Sequence, residues 1–166
     1  MKHIKKNISA VLLAIVLFTS CSKETGPLTD VKPEIPVTVS NAIAYRPDPT
    51  ISTTLAATDS IITIVLSIPA SSKRTITDIS KVALSNSFAQ VQSTGTTGFY
   101  TYGSKTINGV TATFKTSLRE YYLAKPVSGT NPAPTVNKEQ TFRYYFKVTL
   151  DDGTIIIPEA VRVLVL

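Results

Sequence analysis

The sequence predicts an all-β fold, an antiparallel β-sandwich of about seven to nine strands. Several segments alternate apolar and polar side chains with the period of two that marks a half-buried strand. Turn-forming Pro, Gly, Asn and Asp residues separate these segments at intervals of roughly 8–14 residues. Beyond the first two dozen residues, no stretch repeats apolar positions every three or four residues, as an amphipathic helix would.

The first predicted strands lie between residues 37 and 68. Residues 37–45 end before Pro47 and Pro49, which cannot donate to a β-ladder, and residues 51–56 add a short edge segment. Residues 60–68 are the clearest strand, because every second residue is a large aliphatic. We expect one face of this strand in the core, with the side chains of Ile62, Ile64, Leu66 and Ile68.

The middle of the chain is predicted to hold two short strands and a hairpin. The strands are residues 76–84 and 88–92. Asn108-Gly109, between β-rich segments at 99–107 and 110–118, fits a type I′ turn, which needs positive φ at both positions. The extended chain is expected to continue to residue 124, and the proline-rich residues 125–138 are expected to form a loop.

The last 26 residues predict a second hairpin. Residues 142–150 alternate, Asp151-Asp152-Gly153 turns the chain, and residues 154–166 return with an interruption at Pro158. Because adjacent residues on a strand face opposite ways, Tyr145 should face outward if Tyr144 lies in the core.

Residues 1–20 have the layout of a secretory signal. Three lysines precede an apolar run at residues 8–18, which is shorter than the roughly 20 residues that a membrane-spanning helix needs. The run ends in Phe18-Thr19-Ser20-Cys21, and Cys21 is the only cysteine of the chain.

This ending resembles the bacterial lipobox. The resemblance implies lipidation of the Cys21 thiol and cleavage before it. Residues 21–36 are predicted to form a lipidated, flexible linker, because three prolines and few apolar residues cannot build a core, and residues 37–166 are predicted to form a single domain. Ser22 after the cysteine resembles lipoproteins sorted to the outer membrane. The expected location is therefore the outer membrane, anchored by lipid, on its periplasmic face or at the cell surface.

Residues 141–166 resemble the last two strands of immunoglobulin-like domains. The order of signal, linker and single sandwich is similar to that of small Bacteroidota-type outer-membrane lipoproteins with one immunoglobulin-like domain, a family of unknown function. The Cys, Trp, Cys hallmark of antibody-type domains is absent, because the chain has one Cys and no Trp. A small β-barrel is the alternative fold.

Composition excludes several kinds of chemistry. The single histidine, His3, is removed with the signal, so the mature chain has neither a Ser-His or Cys-His pair nor a His/Cys metal cluster. We expect no metal and no cofactor. The mature chain would carry 14 basic and 11 acidic residues, a net charge of +3, and its scattered basic residues predict no nucleic-acid partner. A carboxylate-dependent hydrolase is the least favoured alternative, and Asp151-Asp152 is interpreted as a turn rather than a calcium site.

Binding is therefore the favoured function. We expect a non-enzymatic accessory module that is held at the membrane through the lipid on Cys21 and recognises a protein partner in the cell envelope. The alternative is a glycan-binding surface lipoprotein associated with polysaccharide uptake, in which Tyr100, Tyr102 and Tyr145 would present aromatic rings. Asp59-Ser60-Ile61 resembles the O-glycosylation sequon of Bacteroidota, which makes Ser60 a candidate modification site.

Overall fold

The computed structural model describes residues 34–56, 60–95, 99–102 and 106–166. The predicted signal sequence, the Cys21 lipidation site and most of the linker lie outside these residues. Within them the chain forms twelve β-strands, four of which are only two residues long, two short α-helices and one turn of 3₁₀-helix. Neither helix is long and apolar enough to cross a membrane.

One layer of the fold is a three-stranded antiparallel sheet in the order β1-β4-β8. Its strands are β1 (Thr38–Val39), β4 (Ile61–Ser67) and β8 (Thr111–Ser117). β4 and β8 pair over seven consecutive residues, from Ile61 opposite Ser117 to Ser67 opposite Thr111.

The second layer is made of two sheets that a backbone bridge between Tyr144 and Val161 joins. In the first sheet the order is β11-β10-β5-β6, and β7 also pairs with β5; in the second it is β2-β3-β12-β9. The first sheet consists of β5 (Ile76–Ser85), β6 (Phe99–Tyr102), β7 (Thr106–Gly109), β10 (Arg143–Leu150) and β11 (Ile155–Ile156). The second consists of β2 (Ala44–Tyr45), β3 (Pro49–Thr53), β9 (Lys138–Glu139) and β12 (Arg162–Val165). All pairs in the layer are antiparallel except β3 with β12.

The two layers enclose one main hydrophobic core. Ile62, Ile64 and Leu66 on β4 are fully buried, as the alternating pattern predicts. From the facing strands, Phe114 packs edge-on against Phe146 with ring centroids 5.6 Å apart. Burying each of these large side chains stabilises the fold by about 1.5–3 kcal/mol. The alternating pattern of the strands thus places their most stabilising side chains in the core.

The structure confirms the predicted all-β, mostly antiparallel sandwich. Eight strands in the described part of the chain have four or more residues, which agrees with the expected number. β4 and β8 share one layer while β5, β10 and β12 share the other.

The predicted Asn108-Gly109 hairpin is wrong. Both residues lie in β7, where Gly109 pairs with Ile76 of β5, whereas β8 pairs with β4 in the other layer. Gly109 has no positive φ, so the chain crosses between layers here instead of turning back on itself. The seven-residue ladder with β4 and the burial of Phe114 outweigh the local turn preference.

Two predicted strand segments are helical instead. Residues 89–92 form α1 (Ala89–Gln92), and the supposed extension of β8 forms α2 (Leu118–Ala124). Ser117-Leu118-Arg119-Glu120 fits the pattern of a capping box, a helix-start signal that the strand prediction overlooked.

The final hairpin turn is confirmed. Gly153 has φ of 83°, and Asp152 Oδ1 accepts a hydrogen bond from the Thr154 backbone N–H at 2.9 Å. Arg74 pairs with Asp151 at 3.0 Å and with Asp152 at 2.6 Å. The two carboxylates therefore fasten the turn to the start of β5.

Candidate functional site

The candidate site lies at the end of the sandwich that is remote from the start of the domain. β1 begins opposite Ser67, the last residue of β4, so the chain enters where β4 ends and β8 begins. The opposite end, here called the far end, holds residues 54–56, 60 and 118–142.

Helix α2 begins the far-end segment and has a well-formed N-terminus. The Ser117 hydroxyl accepts a hydrogen bond from the Glu120 backbone N–H at 3.2 Å. Glu120 lies in the first turn, where a carboxylate interacts favourably with the helix dipole, and its Oε2 accepts from the Thr116 hydroxyl at 2.6 Å. A seven-residue helix is marginal by itself, so these contacts and the burial of Leu118 and Tyr121 hold it in place.

A buried hydrogen-bond network fixes the chain that follows the helix. The fully buried Tyr121 accepts a hydrogen bond from the Phe142 backbone N–H at 2.9 Å and donates to Asn131 Oδ1 at 3.3 Å. Asn131, which is 2% exposed, donates to the Lys125 carbonyl at 2.7 Å. Burial raises the pKa of Tyr121 to about 12, although the Phe142 hydrogen bond opposes the shift. Tyr121 is therefore a protonated structural group at neutral pH rather than a base.

A small cavity of about 270 Å³ opens beside this network. It is lined by Tyr122, Pro132, Ala133, Thr135, Lys138, Glu139, Gln140 and Thr141. The Tyr122 hydroxyl lies 2.9 Å from the Pro132 carbonyl oxygen and 2.7 Å from Gln140 Oε1, and Gln140 is 7% exposed. Burial raises the pKa of Tyr122, so this hydroxyl also stays protonated. The cavity therefore combines apolar walls with polar side chains, among them Lys138 and Glu139.

Three exposed aliphatic residues belong to the same segment of the chain as the residues that line the cavity. Leu123 is 72% exposed, Val127 57% and Val136 47%. Single exposed aliphatic residues are ordinary on protein surfaces, but these three share one connection between β8 and β9. Exposed aliphatic side chains of this kind are also found at protein-binding surfaces.

The carboxylates that could support hydrolysis are engaged by arginines. Asp48 Oδ2 lies 2.9 Å from Arg143 and 3.0 Å from Arg162, whose second contact is Glu139 at 2.9 Å. The carboxylate of Asp48 raises the pKa of Arg162. This cluster fastens the loop before β3 to β9, β10 and β12.

Other acidic residues form no metal site. Asp78 lies opposite Thr149 near the entry end, whereas Glu120 lies in α2 at the far end, so the structure does not bring these two carboxylates together. No group of three His, Cys, Asp or Glu side chains able to hold a metal occurs among residues 34–56, 60–95, 99–102 and 106–166.

The prediction that Tyr145 faces solvent is wrong. Tyr144 is fully buried in the main core, and Tyr145 is also only 2% exposed, on the opposite face of β10. Helix α1 and the segment before β12 cover this face, where Val91, Ala160 and Ala83 pack with Tyr145 in a second apolar cluster. The Phe88 ring lies edge-on to Tyr145 at 4.7 Å between centroids.

The other two candidate tyrosines are described by their backbone alone. Tyr100 and Tyr102 lie in β6, which pairs with β5 as an edge strand. Opposite Val82 and Ala83 lie the three residues from Phe99 to Thr101, so the pairing contains a bulge at Tyr100. Their side chains lie outside the described part of the structure, and the prediction that they bind a ligand stays a prediction.

Ser60 does not fit a glycosylation acceptor. It is 5% exposed, and its hydroxyl accepts from the Ala56 backbone N–H at 3.0 Å and donates to the Ala56 carbonyl at 3.5 Å. A glycan on Ser60 would replace the hydroxyl hydrogen that is donated to Ala56 and would need room beside a buried side chain, which contradicts the predicted modification of the folded domain.

Comparison with protein-family models, curated proteins and solved structures finds no match to this chain. Its function must therefore follow from its own residues and geometry.

Proposed function

We propose that this chain is a lipoprotein anchored in the outer membrane through Cys21 and that its domain is a non-enzymatic binding module for a protein partner in the cell envelope. The observation that carries the proposal is the placement of Leu123, Val127 and Val136 with the adjoining cavity at the far end. The lone cysteine after a signal-like segment supplies the anchor, and residues 22–36 supply the reach.

The far end suits a protein partner better than a substrate. Its tyrosines Tyr121 and Tyr122 stay protonated at neutral pH. The carboxylates of Asp48 and Glu139 both pair with the guanidinium of Arg162. Exposed aliphatic side chains beside polar groups are the composition that protein interfaces combine.

The anchor is tested by replacing the cysteine. In a bacterial host that matures lipoproteins, we expect the chain to incorporate an alkyne-labelled palmitate and to fractionate with membranes, and the Cys21→Ser variant to do neither. Ser22→Ala, which keeps the thiol, is the matched control. Equal labelling of the Cys21→Ser chain would reject the anchor.

The binding surface is tested with charges on two exposed aliphatic residues. Leu123→Asp places a charge at the far end, whereas Ile155→Asp places one on a residue that is 54% exposed beside the Asp151–Gly153 turn at the entry end. After crosslinking in intact membranes, we expect the first variant to lose most of the crosslinked partner and the second to retain it. Equal crosslinking by both variants would show that the far end is not the binding surface.

The glycan-binding alternative has lost one of its three aromatic residues, because Tyr145 is buried. It rests on Tyr100 and Tyr102 alone. A glycan array on which the chain binds, and on which a Tyr100→Ala and Tyr102→Ala double variant does not, would favour it over a protein partner.

A further inference from the structure

The strand β8 lies at an edge of the first layer. In the part of the chain that the structure describes, β8 pairs with β4 and with no other strand. It is seven residues long, and the side chains of Thr111, Thr113 and Lys115 are exposed on its outer face. It is therefore long enough and open enough to accept another strand.

The direction of its backbone groups follows from the hydrogen bonds at the two ends of its ladder. The Ile68 N–H donates to the Val110 carbonyl at 2.9 Å, and the Leu118 N–H donates to the Ser60 carbonyl at 2.9 Å. Hydrogen-bonded and non-hydrogen-bonded pairs alternate in an antiparallel ladder, so the even-numbered residues from 110 to 118 point their backbone groups toward β4. Thr111, Thr113 and Lys115 must point their N–H and C=O groups away from β4, toward the open edge.

The opposite edge of the same sheet is closed. The Ser40 N–H donates to the Val65 carbonyl at 2.9 Å. Beyond β1, the Asn41 side chain completes the ladder, since its Nδ2 donates to the Thr63 carbonyl at 2.8 Å and its Oδ1 accepts from the Val65 N–H at 2.9 Å. A side-chain amide thus occupies backbone groups that a further strand would use. On this side of β4 the backbone groups beyond β1 are therefore occupied, whereas no strand among the described residues pairs with the outer side of β8.

The charge along the open edge is positive. Lys115 lies on it, and Arg119 follows at the start of α2; both are exposed, and no ion pair joins either of them to another described residue. A lysine on an edge strand disfavours pairing with a strand that presents another cation. The same lysine favours a strand that places a carboxylate opposite it.

We propose that β8 binds an extended, acidic segment of the partner protein as an additional strand. Backbone bonds to Thr113 and Lys115 would provide affinity, and a carboxylate opposite Lys115 would provide selectivity. This inference rests on the proposed binding function and gives the partner's chemistry: an unpaired peptide segment in which acidic residues alternate with small polar ones. A second copy of the chain is disfavoured as the occupant, because it would bring the cations of two identical edges together.

The probe is a fluorescent seven-residue peptide that alternates threonine and glutamate, with a threonine–lysine peptide as its charge-reversed control. Both are titrated against the full chain in detergent by fluorescence anisotropy. Thr113→Pro removes an edge-facing N–H but no bond to β4, and Thr113→Val, which keeps that N–H, is its matched control. Thermal unfolding of both variants establishes that they are folded, and Lys115→Glu provides a second test that keeps every backbone group.

We expect the glutamate peptide to bind at least tenfold more tightly than the lysine peptide. Thr113→Pro should weaken this binding at least tenfold while Thr113→Val leaves it unchanged, and Lys115→Glu should reverse the preference between the peptides. Residue-resolved hydrogen exchange should show fast exchange at Thr113 and Lys115, slow exchange at Phe114 and Thr116, and protection of the first pair by the glutamate peptide.

Three results would overturn the inference. The first is that the glutamate peptide does not bind at millimolar concentration, and the second is that Thr113→Pro and Thr113→Val bind it equally. The third is that, without peptide, hydrogen-exchange protection of Thr113 and Lys115 rises with the concentration of the chain, which would assign the edge to self-association. None of them bears on lipidation of Cys21 or on the crosslinking of Leu123→Asp. Failure of the edge inference is therefore distinguishable from failure of the proposed function.

Discussion

Replacing Tyr121 with phenylalanine tests the hydrogen-bond network that orders the far end. The hydroxyl is the acceptor for the Phe142 backbone N–H and the donor to Asn131 Oδ1, and all of this lies in the buried interior of the segment. Removing it leaves two buried polar groups without these partners. A buried group that loses its hydrogen bond costs about 1–3 kcal/mol, so we expect Tyr121→Phe to lower the free energy of unfolding by about 2 kcal/mol.

The same residue predicts a pH dependence with a definite sign. The pKa of Tyr121 is about 12 in the folded protein and about 10 in the unfolded chain. Between these values the unfolded chain loses the proton while the folded protein keeps it, so folding stability is complete below about pH 10 and falls as the pH rises toward 12. Two pKa units correspond to at most about 3 kcal/mol. Tyr121→Phe cannot titrate and should lose less stability over this interval.

The assay is urea denaturation followed by circular dichroism, at neutral pH and in steps from pH 9 to 12. Tyr45→Phe is the control, because Tyr45 is 52% exposed and water can replace its hydroxyl's bond to the Val39 carbonyl. We expect that variant to remain within about 0.5 kcal/mol of the wild type. If Tyr121→Phe is as stable as the Tyr45 variant, or has the alkaline profile of the wild type, the network does not hold the segment as described.

Further substitutions test the cap, a turn and the core. Ser117→Ala removes the N-cap of α2 and should lower the free energy of unfolding, measured by urea denaturation, by about 1 kcal/mol. Ser71→Ala, at an exposed residue, should have little effect, and equal effects of the two changes would contradict the capping role. Gly153→Ala should lower the free energy of unfolding by about 1 kcal/mol or more, because φ there is 83°. Gly129→Ala, at a position with open space and no positive φ, should be neutral or slightly stabilising in thermal unfolding. A neutral Gly153→Ala would refute the backbone argument. Phe114→Ala should lower the free energy of unfolding by about 3–5 kcal/mol, because it leaves a cavity between the layers next to Phe146. A loss below about 1 kcal/mol would show that the layers do not pack there.

Local sequence information predicted the faces of the long strands and failed at their ends. Ile62, Ile64 and Leu66 are buried as the alternation requires, and the Asp-Asp-Gly turn forms where it was expected. The capping box at Ser117 and Glu120 was present in the sequence and could have placed α2. A strand was predicted there instead, because the preceding residues alternate between apolar and polar side chains.

The candidate site was less accessible to sequence reasoning. Tyr122 and Gln140 are 18 residues apart, and their contact depends on how the loop between them folds back. The alternation rule placed Tyr145 outside because the rule assumes that one face of a sheet meets water. Helix α1 and the chain before β12 cover that face, and no periodic pattern in β10 itself records this cover.

By itself, the sequence determined the class of the fold, the core faces of β4 and β10 and the final turn, because each depends on neighbours within a few residues. Only the tertiary structure decided which strands share a layer, that Asn108 and Gly109 cross between layers instead of turning, and that both Tyr144 and Tyr145 are buried. It also decided that Asn41 occupies backbone groups of β4 beyond β1 and that no described strand pairs with the outer side of β8. These outcomes depend on pairing and packing between residues far apart in the chain, which the period of a single segment does not encode.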